Sequence, residues 1–220
     1  MLKPQELFQS NPRRQDLLLT RGKEFELALG APCVLQLGDN DAERLVESAR
    51  RGLLHGYTQI DLNVGCPSTK TDATFGCNLM TDGGVLVLEL VDRLAEATRG
   101  RVPVSVKCRI GVHATSKDMQ EDQYGDLHDF VSRITKSGAV RDVVVHARSG
   151  VLQGLSPSKN REVPPLRQVK LCRGRYSCFS RYTAGLFHVN IDCFRVVASG
   201  PRVEGCRGLC QPPRGFERRC

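Results

Sequence analysis

Gln59-Ile60-Asp61-Leu62-Asn63-Val64-Gly65-Cys66-Pro67-Ser68 is the stretch from which this chain's fold is read. Residues 59–64 read as a short strand, and Gly65-Cys66-Pro67 stops it. Gly65 permits a tight turn and Pro67 fixes the exit, so Cys66 is held on a constrained loop directly after a strand. A thiol in that place serves as a nucleophile, a metal ligand or a proton donor. The plainer alternative is a small buried core residue, because free cysteines are often buried.

Outward from this stretch, strand and helix signals alternate. Upstream, Cys33-Val34-Leu35-Gln36-Leu37 is an apolar run ended by Gly38, the mark of a buried strand. Asp39-Asn40-Asp41 offers a helix cap, and 42–54 has helical spacing with Leu45, Val46, Ala49 and Leu53 on one face. Gly56 closes that helix. Downstream, the pattern predicts a helix over 85–97, a strand over 102–110, a helix over 127–136 ended by Gly138, and a fourth strand at Val143-Val144-Val145-His146. Such alternation argues for an α/β fold with a parallel sheet and crossover helices. Each strand ends on polar residues: Gln36, Asn63, Lys107 with Arg109, and His146 with Arg148. In a (β/α)8 barrel the active site lies where the C-terminal strand ends meet. An open Rossmann-type sheet also alternates, yet no G-x-G-x-x-G follows a strand here. A TIM (β/α)8 barrel is therefore the expected fold.

With 40% hydrophobic and 25% charged residues, the chain has the make-up of an ordinary soluble globular protein. No stretch approaches the ~20 apolar residues of a membrane span. The first ten residues lack a basic segment followed by an apolar run, so no secretory signal is read and an intracellular location is expected. The net charge of +8 is unevenly placed. Residues 1–160 carry 20 Lys+Arg against 20 Asp+Glu, whereas residues 161–220 carry 12 against 4. Six of the ten cysteines also lie in those last 60 residues, so the chain changes character near Leu166.

Two further strand ends carry chemistry. In Val104-Ser105-Val106-Lys107-Cys108-Arg109-Ile110-Gly111, Lys107 and Arg109 share one side by the strand period of two. Two cations at a barrel mouth suit an anionic or electron-rich ligand, and the plainer alternative is two solvated basic residues. In Val143-Val144-Val145-His146-Ala147-Arg148, a lone His after an apolar strand is more often structural, and Arg148 two residues on adds weight to a site. No His or Cys cluster with zinc spacing occurs in residues 1–160, so no metal is expected.

Six motifs now stand in order: Gln36-Leu37-Gly38; Leu62-Asn63-Val64-Gly65-Cys66-Pro67-Ser68; Phe75-Gly76 with Leu79-Met80; Val106-Lys107-Cys108-Arg109-Ile110-Gly111; His146-Ala147-Arg148; and Gly154-Leu155-Ser156-Pro157 with Asn160-Arg161-Glu162-Val163-Pro164-Pro165-Leu166. Together they resemble the tRNA-dihydrouridine synthase family, most of all its A-type branch, over about residues 32–166. The resemblance implies a TIM-barrel domain that holds FMN and uses NADPH as reductant. It implies a flavin hydride delivered to C6 of a target uracil and a cysteine that protonates C5. Position by position, it makes Cys66 the proton donor, Gln36, Lys107 and His146 contacts of FMN, Asn63 a contact of the RNA substrate, and Arg161 a contact of tRNA. The residue types suit that chemistry. Hydride addition to the conjugated C5–C6 bond builds negative charge toward O4 and C5, a poised thiol quenches it, and nearby cations stabilise it. The base must leave its stack to react.

The chain departs from the family pattern at several places. Phe-Gly-Ala-Cys-Leu-Met becomes Phe75-Gly76-Cys77-Asn78-Leu79-Met80, and Cys77 reads as structural. Ser158 stands where the A-type pattern has a basic residue, with Lys159 adjacent, and the connection from Gly111 to Asp129 is a few residues longer. The opening Ala-Pro-Met strand, the late Asn-Gly-Gly strand, the Gly-Arg phosphate grip and the C-terminal helical RNA-binding domain of the family are not found. Residues 1–166 are accordingly read as a partial FMN-binding barrel domain.

Residues 167–220 are read as a basic, Cys-rich tail, irregular or disordered, with three possible origins. They form an RNA-binding appendage, or a disulfide or zinc module, or a non-native tail from a frame change or unspliced intron. Periodicity and family pattern stop at one point, which ranks the last origin first. Two function classes follow: an active flavin oxidoreductase on tRNA, or an inactive truncated homologue that at most binds RNA. A dihydroorotate or dihydropyrimidine dehydrogenase would share the pyrimidine logic, but the stretch 154–166 resembles only the tRNA enzymes.

Overall fold

The structure, a computed structural model, describes residues 34–67, 75–118, 124–146 and 148–153. It also describes Pro4, Leu19, Thr20, Glu24 and Lys159, and the strands at 171–173, 186–190 and 194–196. The strands are β1 (Leu35–Leu37), β2 (Ile60–Val64), β3 (Val104–Arg109), β4 (Val112–His113), β5 (Val140–His146), β6 (Gly150–Val151), β7 (Leu171–Arg173), β8 (Leu186–Asn190) and β9 (Phe194–Val196). Between them lie α1 (Ala42–Leu54), α2 (Val85–Ala97) and α3 (Tyr124–Ile134).

The main sheet runs β1-β2-β3-β5-β8, and its first four strands are parallel. Its register sorts side chains by face. Leu37, Leu62, Val106 and Val143 form one row across the four strands. Gln36, Asp61, Ser105 and Asp142 form another. Because successive residues point to opposite faces, the first row belongs to an apolar face and the second to a polar one. A register shift between Val104 and Ser105 leaves Arg141 as the extra residue of β5, so Asp142, Val144 and His146 stay in phase with Ser105, Lys107 and Arg109.

The helices cover the apolar face. α1 begins at Asp41, whose carboxylate accepts the amide of Arg44 at 2.9 Å, as a helix cap should. It buries Leu45, Val46 and Ala49, as expected, but the next turn buries Gly52 rather than Leu53. The reason is space: a Cβ at Gly52 would stand 2.3 Å from Cδ2 of Leu35, so the β1 side chain lies in that notch. α2 is capped by Asp82, which accepts the amides of Gly84, Val85 and Leu86, and it buries Val87, Leu90, Val91 and Leu94. α3 starts three residues earlier than its apolar spacing suggests and buries Leu127, Phe130, Val131 and Ile134. Each such aliphatic or aromatic side chain contributes ~1.5–3 kcal/mol on burial, so this layer holds the fold together.

In the segment read as an irregular tail, the described residues are three short strands. β8 lies antiparallel on β5, with Val144 opposite His188, and β7 pairs antiparallel with β9. Among the described residues no helix is long and apolar enough to cross a membrane.

Candidate active site

The helices occupy one face of the sheet, and the chemistry gathers on the other. Asp61 sits on β2 with 5% of its surface exposed. A buried carboxylate is costly unless donors satisfy it, and Asp61 accepts from Nε2 of Gln36 and from Oγ of Ser105, both at 2.7 Å. Oε1 of Gln36 accepts from Nδ2 of Asn63 at 3.1 Å. Oδ1 of Asn63 in turn accepts the amides of Gly65 at 3.1 Å and Cys66 at 3.0 Å. One hydrogen-bonded line thus runs from β3 through β2 and β1 to the loop that carries Cys66.

Arg109 grips the same loop from the other side. Its side chain is 3% exposed; Nε donates to the carbonyl of Gly65 at 2.8 Å and one terminal nitrogen to the carbonyl of Ser149 at 3.0 Å. Burial pulls the guanidinium below its ordinary pKa. Arg109 shares the face of Lys107, as its spacing predicts, but the main chain engages it; it is a clamp and not a free ligand cation. The 3-10 turn Gly76–Met80 completes the cradle, with the amide of Cys77 donating to the carbonyl of Cys66 at 2.9 Å. Gly76 has φ +73°, and a Cβ there would stand 2.2 Å from the Cys66 carbonyl oxygen. Glycine is therefore required twice over, for conformation and for space.

The thiols of Cys66, Cys77 and Cys108 differ. Burial pushes Cys77 up to about 11 and Cys108 up to about 12, so both stay protonated and shielded at neutral pH. Cys66 is the one that remains partly exposed.

Lys107 lies beside Asn63 in the register, half-buried, and no described residue pairs with its ammonium. His146 lies opposite Arg109, and a terminal nitrogen of Arg148 stands 3.4 Å from its Nε2. Arginine only donates, so Nε2 accepts and the ring proton sits on Nδ1. Burial, then Arg109, Lys107 and Arg148, lower the His146 pKa from 6.5 to about 4. The imidazole is neutral at physiological pH.

A partly exposed thiol on a clamped loop, a half-buried lysine and a neutral histidine thus share the rim of a parallel sheet. Residues 1–170 match the family model described as dihydrouridine synthase (Dus). The chain belongs to the dihydrouridine synthase family. Its relatives include proteins named tRNA-dihydrouridine(20/20a) synthase. That of Xylella fastidiosa is 43% identical over 137 residues, covering 62% of this chain and 38% of the relative. That of Synechocystis is 44% identical over 137 residues, with the same shares, and that of Vibrio parahaemolyticus 41% over 136 residues, covering 61% and 39%. The chain spans about two fifths of the length of these curated relatives. The dihydrouridine synthase fold is a TIM barrel, and β1, β2, β3 and β5 with α1–α3 are an arc of it.

Of the residues singled out in the sequence, Gln36, Asn63, Cys66, Lys107 and His146 come together on this rim. Arg161, and most of the stretch 154–166, lie outside the described residues. Asp61 and Ser105 escaped notice in the sequence. Their signal was the strand period, which puts residue 61 on the face of residue 63 and residue 105 on that of residue 107.

Proposed function

We propose that this chain reduces the C5–C6 bond of uridine in tRNA, with FMN as cofactor and NADPH as reductant. The observation that carries the reading is the partly exposed Cys66 thiol, held by Asn63 and Arg109 at the rim that also bears Lys107 and His146. The donor set fits a flavin. Lys107 brings a half-buried positive charge with no described partner, Gln36 keeps a second Nε2 hydrogen, and neutral His146 offers Nδ1–H. These three residues would hold the cofactor's electron-rich ring edge. When bound, FMN supplies the hydride that adds to C6 of the uracil, and NADPH replenishes it.

The chain's own residues supply the rest. Cys66 gives its proton to C5 as a general acid, and its thiolate regains a proton from water. Lys107 stabilises the negative charge that builds toward O4 during the addition. Asn63 fixes the Cys66 loop with its oxygen and keeps one N–H for the flipped base. Arg161 is assigned to the tRNA backbone by its place after the His-Ala-Arg motif. Such a substrate puts the reaction inside the cell. The rival reading, an inactive homologue that at most binds RNA, has no feature of this rim in its favour.

The test is a flavin absorbance spectrum of the purified chain and an NADPH-dependent assay of dihydrouridine formation on unmodified tRNA. Cys66→Ala should retain flavin and slow reduction by ~10²–10⁴-fold, the usual loss for a general acid. Wild-type turnover in that variant, or a wild-type chain that takes up no FMN, would overturn the proposal.

A further inference from the structure

We propose that Asp61 is a positioning residue for Cys66, acting through Gln36 and Asn63. The proposal rests on the reading of Cys66 as proton donor and adds what orients it.

The argument is one of direction. A carboxylate only accepts, whereas a carboxamide both donates and accepts and can be turned end for end. Gln36 and Asn63 on their own could form their mutual hydrogen bond in either sense. Asp61 removes the choice: it is 5% exposed, and Ser105 Oγ fixes its other oxygen at 2.7 Å. Gln36 must then present Nε2 to Asp61, at 2.7 Å, and Oε1 to Asn63. Asn63 must present Nδ2 to Gln36, which leaves Oδ1 for the amides of Gly65 and Cys66. Had Asn63 faced the other way, its NH2 would confront two main-chain N–H donors, and the loop would lose both bonds. The buried charge also polarises the line, since bonds to an ionised acceptor are stronger than neutral ones. Arg109 holds the far side of the loop through the Gly65 carbonyl, so the relay sets the Cys66 amide against a fixed anchor.

Asp61→Asn keeps the shape and removes the direction, because an asparagine can donate to Gln36 and allow both carboxamides to turn. The readout is alkylation of Cys66 by iodoacetamide in the whole chain, mapped by peptide mass spectrometry, with buried Cys77 and Cys108 as internal controls. Release of the loop should speed Cys66 alkylation about fivefold, the population ratio that one lost hydrogen bond sets. Asn63→Ala should do the same, and the double variant should be no faster than either single one. That failure to add separates a relay from two independent losses of packing. Where Asp61→Asn does not yield folded protein, Gln36→Met reads the same line one link later.

Unchanged Cys66 alkylation in Asp61→Asn, or in Gln36→Met, overturns the proposal. So do effects of Asp61 and Asn63 that add, or equal gains at Cys77 and Cys108. A relay effect alongside wild-type turnover in Cys66→Ala leaves the relay standing and removes the proton-donor reading.

Discussion

Lys107 shows what a single residue does on this rim. The residue is half-buried on β3, next to Asn63 in the register, and its ammonium has no described partner. Such a charge is tolerable when a ligand supplies the opposite one. His146 differs in being held neutral, by burial and by three neighbouring cations, so it acts as a hydrogen-bond donor through Nδ1. Lys107→Ala should therefore weaken FMN retention by ~10–100-fold, the worth of a hydrogen bond to a charged group, and His146→Ala by less. Flavin titration followed by absorbance measures this, with tRNA binding measured in parallel. If flavin occupancy holds while tRNA affinity collapses, both residues belong to the RNA site. Residue identities at strand ends were legible because strand boundaries are local. The engagement of Arg109 was not, since its carbonyl partners lie 44 and 40 residues away.

At the scale of elements, the Gly76–Met80 turn and the Cys66 loop form one unit joined by a backbone hydrogen bond. Two glycines allow a clean comparison. Gly76 and Gly83 both have positive φ, +73° and +69°, but an added Cβ meets the Cys66 carbonyl at Gly76 and nothing within 4 Å at Gly83. Gly83→Ala should cost about 1–2 kcal/mol, the conformational penalty alone. Gly76→Ala should cost clearly more, because the Cys66 loop must move as well. Chemical denaturation of both variants gives the two values, and equal losses would mean that turn and loop do not touch. The helices themselves were readable to within a few residues, from caps at Asp41 and apolar spacing in 85–97. The burial of Gly52 in place of Leu53 was not, because it depends on where Leu35 of β1 lands.

Across the whole molecule, His146 ties stability to pH. The folded ring takes its proton only near pH 4, while the unfolded chain takes it near the ordinary 6.5. Between those values the unfolded state binds more protons, so stability falls as pH drops through that window and is unaffected above it. Thermal melts from pH 7.5 to 4 should show the decline, and His146→Gln should flatten it. A slope unchanged in that variant would show that the imidazole is not held neutral in the fold.

Periodicity, caps and turn residues are properties of neighbours along the chain, and they alone determined the α/β class, the strand and helix positions and the constrained loop at Cys66. The family pattern was likewise written in short local motifs. Pairing was decided only in three dimensions. Strand period says which residues share a face, but register says which of them meet, and register follows from packing the helices onto the apolar side. That is how Gln36 reaches Asn63 across 27 residues and Ser105 reaches Asp61 across 44. It is also how β8 comes to lie antiparallel on β5, a contact no local pattern encodes.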